Sequence, residues 1–155
     1  MTFLNDCLTP MGKRAFKYNI VNPINDTQKL EREYDIIEYC KNNKSYEYLR
    51  TTLVNMKDIE KNKRKLALKR LTPRELFYIY KNFNTIAEIY DYYASDPTIL
   101  GYTKQFIDRN IKEICEEITD FLDEKVDIEQ CADIDLLIFE DNIFQKGVYP
   151  ELDEQ

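Results

Sequence analysis

Four carboxylates lie close together in the stretch 113–120, and carboxylates at this spacing can bind a metal ion. They are Glu113, Glu116, Glu117 and Asp120. Helical proteins that bind metals in this way usually combine carboxylates with histidine in Glu-x-x-His pairs, and this sequence contains no histidine. The four acids also fall on the outer face of an amphipathic pattern. We therefore predict a solvated surface here and no metal-ligating residue.

Nucleophilic and phosphate-binding chemistry finds little support in the sequence. Without histidine, the commonest general base and the usual partner of a serine or cysteine nucleophile are absent. The four cysteines form no Cys-x-x-Cys pair, so we expect buried free thiols, and the alternative is a zinc site that uses all four at irregular separations. The cysteines are Cys7, Cys40, Cys115 and Cys131. The glycines Gly12, Gly101 and Gly147 form no phosphate-binding loop. The sequence thus predicts no catalytic residue and no cofactor-binding residue.

One stretch is suited to contact phosphate groups. Residues 61–70, KNKRKLALKR, contain six basic residues and no acidic one. Its candidate DNA-binding residues are Lys61, Lys63, Arg64 and Lys65. The alternative interpretation is an ordinary solvated helix, because lysine and arginine are good helix formers.

The net charge of −7 is unevenly distributed along the chain. Residues 1–74 contain 16 Lys or Arg and 9 Asp or Glu, whereas residues 75–155 contain 6 and 20. An acidic second half repels DNA phosphates, so any contact with nucleic acid is expected through the first half.

Length and composition indicate one globular domain. The 155 residues are 43% hydrophobic and 33% charged, and no apolar run approaches the roughly 18 residues of a membrane span. The N-terminal sequence MTFLNDCLTPMGKR lacks the basic start and apolar centre of a secretion signal. We expect an intracellular protein that does not contact membranes.

The predicted elements are mostly helices whose starts are marked by capping residues. Thr9 can cap a first helix that has Pro10 at its first position. Gly12 lies in the first turn of this helix, and a glycine in a helix interior costs roughly 1 kcal/mol relative to alanine. We therefore expect another backbone or a large side chain to approach Gly12 closely, and the alternative is a glycine that is tolerated near a helix end. Asp26 or Thr27 can cap a second helix.

Two further helix starts and one long helix follow. Ser45 can cap a helix, and Thr72 and Glu75 have the spacing of a capping box, with Pro73 at the first helical position. An amphipathic pattern then predicts a last long helix from about Ile99 to Glu124, with Ile107 and Phe121 among the residues on its inner face.

The C-terminal sequence no longer has the spacing of an amphipathic helix. LLIFEDNIFQKG places two short apolar runs around Asp141 and Asn142, which predicts a small hairpin that turns at those residues. The expected fold is therefore all-α, a multi-helix domain with a small C-terminal β-hairpin.

Three segments resemble the core region of the MutS family of DNA mismatch repair proteins. LNDCLTPMGKRAFKYNIVNPINDTQKLEREYDIIEY is similar to the family's Thr-Pro-Met-Gly-x-Arg opening and its Pro-hydrophobic-x-Asp step. MKDIEKNKRKLALKRLTPREL is similar to the Asp-hydrophobic-Glu-Arg stretch that leads to a Ser-Pro-x-Asp/Glu-Leu helix start, with Lys61 and Lys65 where arginine is usual. IFQKGVYPELDEQ is similar to the ending Gly-hydrophobic/aromatic-x-x-Glu-Leu-Asp-Glu. The matching residues include Thr9, Pro10, Met11, Gly12, Arg14, Pro23, Asp26, Asp58, Glu60, Pro73, Leu76, Gly147, Leu152, Asp153 and Glu154.

The resemblance implies structural roles for these residues. Gly12 would belong to the helix that begins the core domain, in close packing with neighbouring helices. Asp58 and Glu60 are expected to bind helix-terminal N–H groups or basic side chains, because carboxylates near a helix N-terminus are favoured by the helix dipole.

The resemblance also implies a function. Residues 1–155 would form the first part of a MutS-like core domain and end where the lever helix begins. The domain would link the ATPase and DNA-clamp regions of a mismatch repair ATPase and would do no chemistry itself. ATP and Mg²⁺ would belong to the full-length parent, whose other domains and duplex DNA would be the partners, and the parent would be a homo- or heterodimer. An alternative is a free-standing helical adaptor, derived from that fold, that binds a protein.

Overall fold

The chain is predominantly helical in the computed structural model, which describes residues 4–153. The prediction of an all-α fold is confirmed. The helices are α1 (Pro10–Val21), α2 (Thr27–Asn42), α3 (Ser45–Leu53), α4 (Ile59–Ala67), α5 (Pro73–Tyr93), α6 (Pro97–Thr103), α7 (Ile111–Lys125), α8 (Ile128–Cys131) and α9 (Pro150–Asp153).

The first two helices begin where local sequence places them. The Thr9 hydroxyl caps α1 by accepting a hydrogen bond from the Gly12 N–H at 3.0 Å, and Asp26 caps α2 by accepting from the Lys29 N–H at 3.1 Å. The prediction for Ser45 is wrong, because Ser45 is the first residue of α3 and Lys44 precedes it in the left-handed conformation without a side-chain cap.

The predicted long helix from Ile99 to Glu124 is interrupted. Residues 104–110 separate α6 from α7, and the Asn110 side chain caps α7 by accepting from the Lys112 N–H at 3.0 Å. A new cap inside the amphipathic pattern starts a new helix axis, so the pattern no longer describes one face. Ile107, which lies in the break, and Phe121, which lies on α7, were both predicted on the inner face and are exposed.

The predicted hairpin around Asp141 and Asn142 is also wrong. Within residues 4–153 the only β-type pairing is an isolated antiparallel bridge between Val126 and Phe144. The segment thus pairs with the chain that follows α7, because burial of Ile143 in the core brings the two together. The Asn142 side chain accepts a hydrogen bond from the Phe144 N–H at 3.0 Å and bends the chain locally.

The chain divides into two compact units, and the division falls within α5. Unit 1 consists of Met1–Asp58 and Ile89–Arg109, and unit 2 of Ile59–Glu88 and Asn110–Gln155. In unit 1 the ring of buried Tyr93 meets that of Tyr48 edge to face, and its hydroxyl donates a hydrogen bond to the Ser45 carbonyl at 2.5 Å.

Unit 2 has a small apolar core. Its buried members come from α7, from the residue directly after α7, from α8 and from the irregular segment that follows α8. They are Leu122, Val126, Ile128, Cys131 and Ile143. Leu76, Tyr80 and Ile118 pack against this cluster from α5 and α7, so the N-terminal part of α5 is fixed to unit 2 by apolar contacts.

Candidate interaction surfaces and the contacts that support them

An ion pair in unit 1 joins two of the segments that carry the family resemblance. The Arg14 guanidinium, on α1, binds both carboxylate oxygens of Asp58 at 2.5 and 2.9 Å. The Asp58 side chain is only 16% exposed, and a planar guanidinium fits a carboxylate in this two-point geometry. The expectation that Asp58 binds a basic side chain is confirmed. Glu60 lies in the first turn of α4, where the helix dipole favours a carboxylate.

The surroundings of Gly12 differ from the prediction. A Cβ atom added at Gly12 would lie 3.0 Å from Thr9 Oγ1, 3.4 Å from Cys7 Cβ and 3.8 Å from Cys7 Sγ. These nearest atoms belong to small side chains of the turn before α1, and the expected backbone or large side chain is not among them. The glycine leaves room for the Thr9 hydroxyl that caps the helix.

The N-terminus of α5 has the predicted capping box. The Glu75 N–H donates to Thr72 Oγ1 at 3.3 Å, and the Thr72 N–H donates to Glu75 Oε2 at the same distance. The other Glu75 oxygen, Oε1, binds the Lys65 ammonium. One of the four candidate DNA-binding residues thus has its charged group engaged within unit 2.

Arg74 fixes the segment after α8 to the start of α5, a role that the sequence did not indicate. Its guanidinium donates to the Ala132 carbonyl at 2.9 Å, the Asp133 carbonyl at 3.1 Å and the Asp135 carboxylate at 3.1 Å. Its backbone N–H donates to the Ile134 carbonyl at 2.9 Å. The partners lie about 60 residues away along the chain, and no local pattern signals them.

The basic helix α4 presents its charges unevenly. Lys61, Lys63 and Arg64 are exposed, while Asn62 is buried and its Nδ2 has no hydrogen-bond partner among the described residues. Unit 2 as a whole contains 11 Lys or Arg and 18 Asp or Glu, whereas unit 1 contains 11 of each. The basic stretch of the first half therefore belongs to the same unit as most of the acidic second half.

An open apolar groove of about 600 Å³ lies next to α4 in unit 2, and we call it the α4–α5–α7 groove. Two charged residues line it, Lys63 from α4 and Glu117 from α7. Its apolar lining comes from all three helices. Those residues are Ile59 and Leu66 from α4, Leu76, Ile79 and Phe83 from α5, and Ile118, Phe121 and Leu122 from α7.

Unit 1 contains a polar cluster between α2 and α6. The Tyr39 hydroxyl donates to Asp96 at 2.9 Å, and Asp96 also caps α6 by accepting from the N–H groups of its first turn. The Tyr102 hydroxyl donates to Glu33 at 2.8 Å. The hydrogen bond to Asp96 raises the pKa of Tyr39, and burial, together with the bond to Glu33, raises the pKa of Tyr102 to about 12.

The remaining residues of the resemblance have varied environments. Met11 is half-buried, Pro23 is exposed, and Gly147 adopts a positive φ of 84°, which favours glycine. The backbone of Leu152 and Asp153 belongs to α9, and Glu154 lies outside the described residues.

Two properties of the described part of the chain concern ligands and membranes. Within residues 4–153, no group of three or more cysteine, aspartate or glutamate side chains is arranged so that it could hold a metal ion. None of the helices there has the length and hydropathy that crossing a bilayer requires.

The chain is similar in sequence to known proteins of one family. The family model for MutS domain III matches residues 1–149. A protein named as a mutS homolog in Acanthamoeba polyphaga mimivirus is 28% identical over 97% of the chain, and the DNA mismatch repair protein MutS of Flavobacterium johnsoniae is 25% identical over 97%. The MutS protein of Borreliella burgdorferi strain ZS7 is 34% identical over 60% of the chain.

The chain is short relative to these proteins. It spans 13% of the mimivirus protein, 17% of the Flavobacterium protein and 11% of the Borreliella protein. No solved structure shows significant similarity to it.

Proposed function

The chain belongs to the MutS family, as a domain III of these DNA mismatch repair proteins, and from this membership we propose that it is a structural module that couples the ATPase and DNA-clamp regions of a larger parent protein. In this proposal ATP and Mg²⁺ bind elsewhere in the parent, which acts on duplex DNA as a homo- or heterodimer, and the domain itself catalyses no reaction. The domain would be the first part of the core, with the lever helix following it.

The observation that carries the proposal is the anchoring of α5. This helix of 21 residues is roughly 31 Å long, and a continuous hydrogen-bonded helix moves as one body. Its first turn is held by the capping box and by the contacts of Arg74 with residues 132–135. A helix fixed at one end and continuous to the other suits the transmission of a displacement.

The coupling role can be tested in the parent protein by weakening α5. Glycine at Ala87 and Glu88 lowers the stability of the helix interior by about 1 kcal/mol per site. We expect basal ATP hydrolysis to be retained and its response to mismatched DNA to fall. The matched control is glycine at Glu31 and Asp35 of α2, which we expect to preserve the response. Equal responses in both variants would contradict the role of α5.

A second test concerns DNA binding by the chain alone. We expect weak binding without mismatch selectivity, because the acidic residues of unit 2 oppose phosphate contact. Residual binding should depend on exposed Lys63 and Arg64, and reversing both charges should reduce the salt slope by about 2. Titration of matched and mismatched duplexes at two salt concentrations measures this. Tight or mismatch-selective binding would overturn the proposal.

An adaptor that binds another protein is the second candidate function. The α4–α5–α7 groove favours it, because an open apolar groove is the type of surface on which partner helices dock.

A further inference from the structure

Three consecutive apolar side chains of unit 2 are exposed where the chain bends after α8. Leu136 is 64% exposed, Leu137 57% and Ile138 90%, and the bend lies at Leu137 and Ile138. We call these three residues the apolar loop. Single exposed apolar residues are common on protein surfaces, but a run of three leaves a continuous apolar patch in water. A patch of this kind is typical of a contact site.

The apolar loop is held on both sides by the core of unit 2. Before it, Ile134 packs against the core and its carbonyl accepts a hydrogen bond from the Arg74 N–H at 2.9 Å. After it, Phe139 packs against the same core, and Ile143 is one of the buried members. The loop is therefore short and fixed at both ends, so docking it against a partner costs little conformational entropy.

The backbone around the apolar loop has hydrogen-bonding capacity left over. Within residues 4–153, no N–H or C=O group of residues 136–141 takes part in a backbone hydrogen bond. Covering these groups without offering them partners would cost free energy. The occupant must therefore supply donors and acceptors beside its apolar surface, which a polypeptide can do and a lipid acyl chain cannot.

Acidic side chains without ion-pair partners border the apolar loop. Asp133 precedes it, Glu140 and Asp141 follow it, and all three are exposed. None of the three forms an ion pair with another described residue, whereas Asp135 is paired with Arg74. An occupant with lysine or arginine around an apolar pocket complements this pattern, and nucleic acid is repelled by it.

Most of each relative lies outside the region that the chain matches, since the chain spans between 11% and 17% of the three proteins named above. We propose that in the parent protein the apolar loop packs into an apolar pocket of another domain of the same polypeptide, and that lysine or arginine side chains border this pocket. The inference rests on the proposed function, because it requires the parent, and it names the contact by which unit 2 meets a neighbouring domain. Through Ile134 and Arg74, this contact lies next to the start of α5.

The test compares the labelling of one thiol in the isolated chain and in the parent. Ile138→Cys places the thiol in the apolar loop, and Lys29→Cys places a control thiol at an exposed site of unit 1. Mass spectrometry of the peptide that contains each position separates the new thiol from the native ones. We expect iodoacetamide to label position 138 at least about 10-fold more slowly in the parent, because the contact must open first, and to label position 29 equally in both proteins.

Hydrogen exchange gives a second measurement without any substitution. The amides of residues 136–141 should exchange at least about 10-fold more slowly in the parent than in the isolated chain, since the contact gives them partners and removes them from solvent. A loop that is labelled and exchanges as fast in the parent as in the isolated chain would overturn the proposal. Equal slowing of labelling at positions 138 and 29 would also overturn it, because the protection would then not be specific to the loop.

Charge reversal tests the chemistry of the pocket. In the parent with Ile138→Cys, the added pair Glu140→Lys and Asp141→Lys should speed the labelling of position 138 by about 2- to 5-fold, the range expected for exposed ion pairs. The matched control is Glu31→Lys with Glu38→Lys, two exposed acids of α2 whose reversal should leave the labelling rate unchanged. Equal effects of the two pairs would contradict a basic border around the pocket.

Two further outcomes would identify a different occupant and overturn the proposal. Protection of the apolar loop that develops in the isolated chain as its concentration rises would identify a second copy of the chain. Protection of the parent that requires the addition of another protein would identify a separate partner.

The result is distinguishable from that of the coupling test. A protected loop together with α5 variants that retain the ATPase response would preserve this contact and reject the coupling role. An exposed loop together with α5 variants that lose the response would reject this contact and preserve the coupling role.

Discussion

Arg14 and Asp58 form a two-point ion pair across 44 residues of sequence. They belong to two different segments of the family resemblance, and the contact links α1 to the residue that precedes α4. The geometry explains why an arginine and an aspartate are suited to these two positions, since only a guanidinium forks onto both carboxylate oxygens.

The Arg14–Asp58 pair should contribute measurably to stability. A double-mutant cycle of Arg14→Ala and Asp58→Ala is expected to give a coupling energy of about 1 kcal/mol by urea unfolding, at the upper end for exposed pairs because of its geometry. The Arg50–Asp6 pair, whose carboxylate is largely exposed, is the control and should give a value near zero. Equal coupling energies for the two pairs would contradict this ranking.

Gly12→Ala should not stabilise the chain, although helix propensity alone predicts a gain of up to about 1 kcal/mol. The new Cβ would lie 3.0 Å from the Thr9 oxygen and disturb the cap, whose loss costs about 1 kcal/mol. In a Thr9→Ala background the same substitution should be neutral or stabilising. Thermal unfolding of the four proteins measures both effects, and stabilisation in the presence of Thr9 would refute the explanation.

Lys69→Gly should stabilise the chain by about 1 kcal/mol, because Lys69 has a positive φ of 53° that costs a residue with a Cβ atom. It ends α4 in a Schellman motif, in which its N–H donates to Leu66 and the Arg70 N–H donates to Lys65. Lys63→Gly, inside the same helix, is expected to destabilise by a similar amount. Chemical denaturation of the two variants measures both changes in the free energy of unfolding. A loss of stability in Lys69→Gly would show that the turn needs lysine for another reason.

Arg74→Ala should destabilise the chain by about 2 kcal/mol, because the guanidinium makes three hydrogen bonds to residues 132–135. Arg74→Lys should recover only part of this loss, since an ammonium cannot reach three separated acceptors in the same geometry. Hydrogen exchange should accelerate at the amide of Ile134. Unchanged exchange there would indicate that other contacts hold the segment.

The Cys131 thiol should resist alkylation in the folded chain. It is fully buried, and burial raises its pKa to about 11, so its thiolate population at pH 8 falls about 100-fold from that of a thiol with a pKa of 9. The unfolded chain loses this proton at lower pH, so the contribution of Cys131 to stability is present below about pH 9 and declines towards pH 11. Iodoacetamide labelling with and without urea, followed by mass spectrometry, provides the measurement. Equal labelling in both conditions would contradict the burial.

Local sequence determined the helix starts and the helical class of the protein. Thr9, Asp26 and the pair Thr72 and Glu75 cap helices through hydrogen bonds that span only three residues, so their effect can be predicted without knowledge of packing. The motif residues likewise identified the family from their order along the chain, which the match to MutS domain III confirms.

Tertiary structure alone decided the path of residues 104–110 and 133–148. There the local pattern was compatible with a continuous helix and with a hairpin, and the outcome depended on which apolar residues reached the core. Ile143 enters the core of unit 2, and Arg74 holds residues 132–135 across about 60 residues of sequence. The ion pair of Lys65 with Glu75 of another helix was decided in the same way. Contacts of this kind arise only when packing brings distant side chains together, and periodicity within one helix contains no information about them.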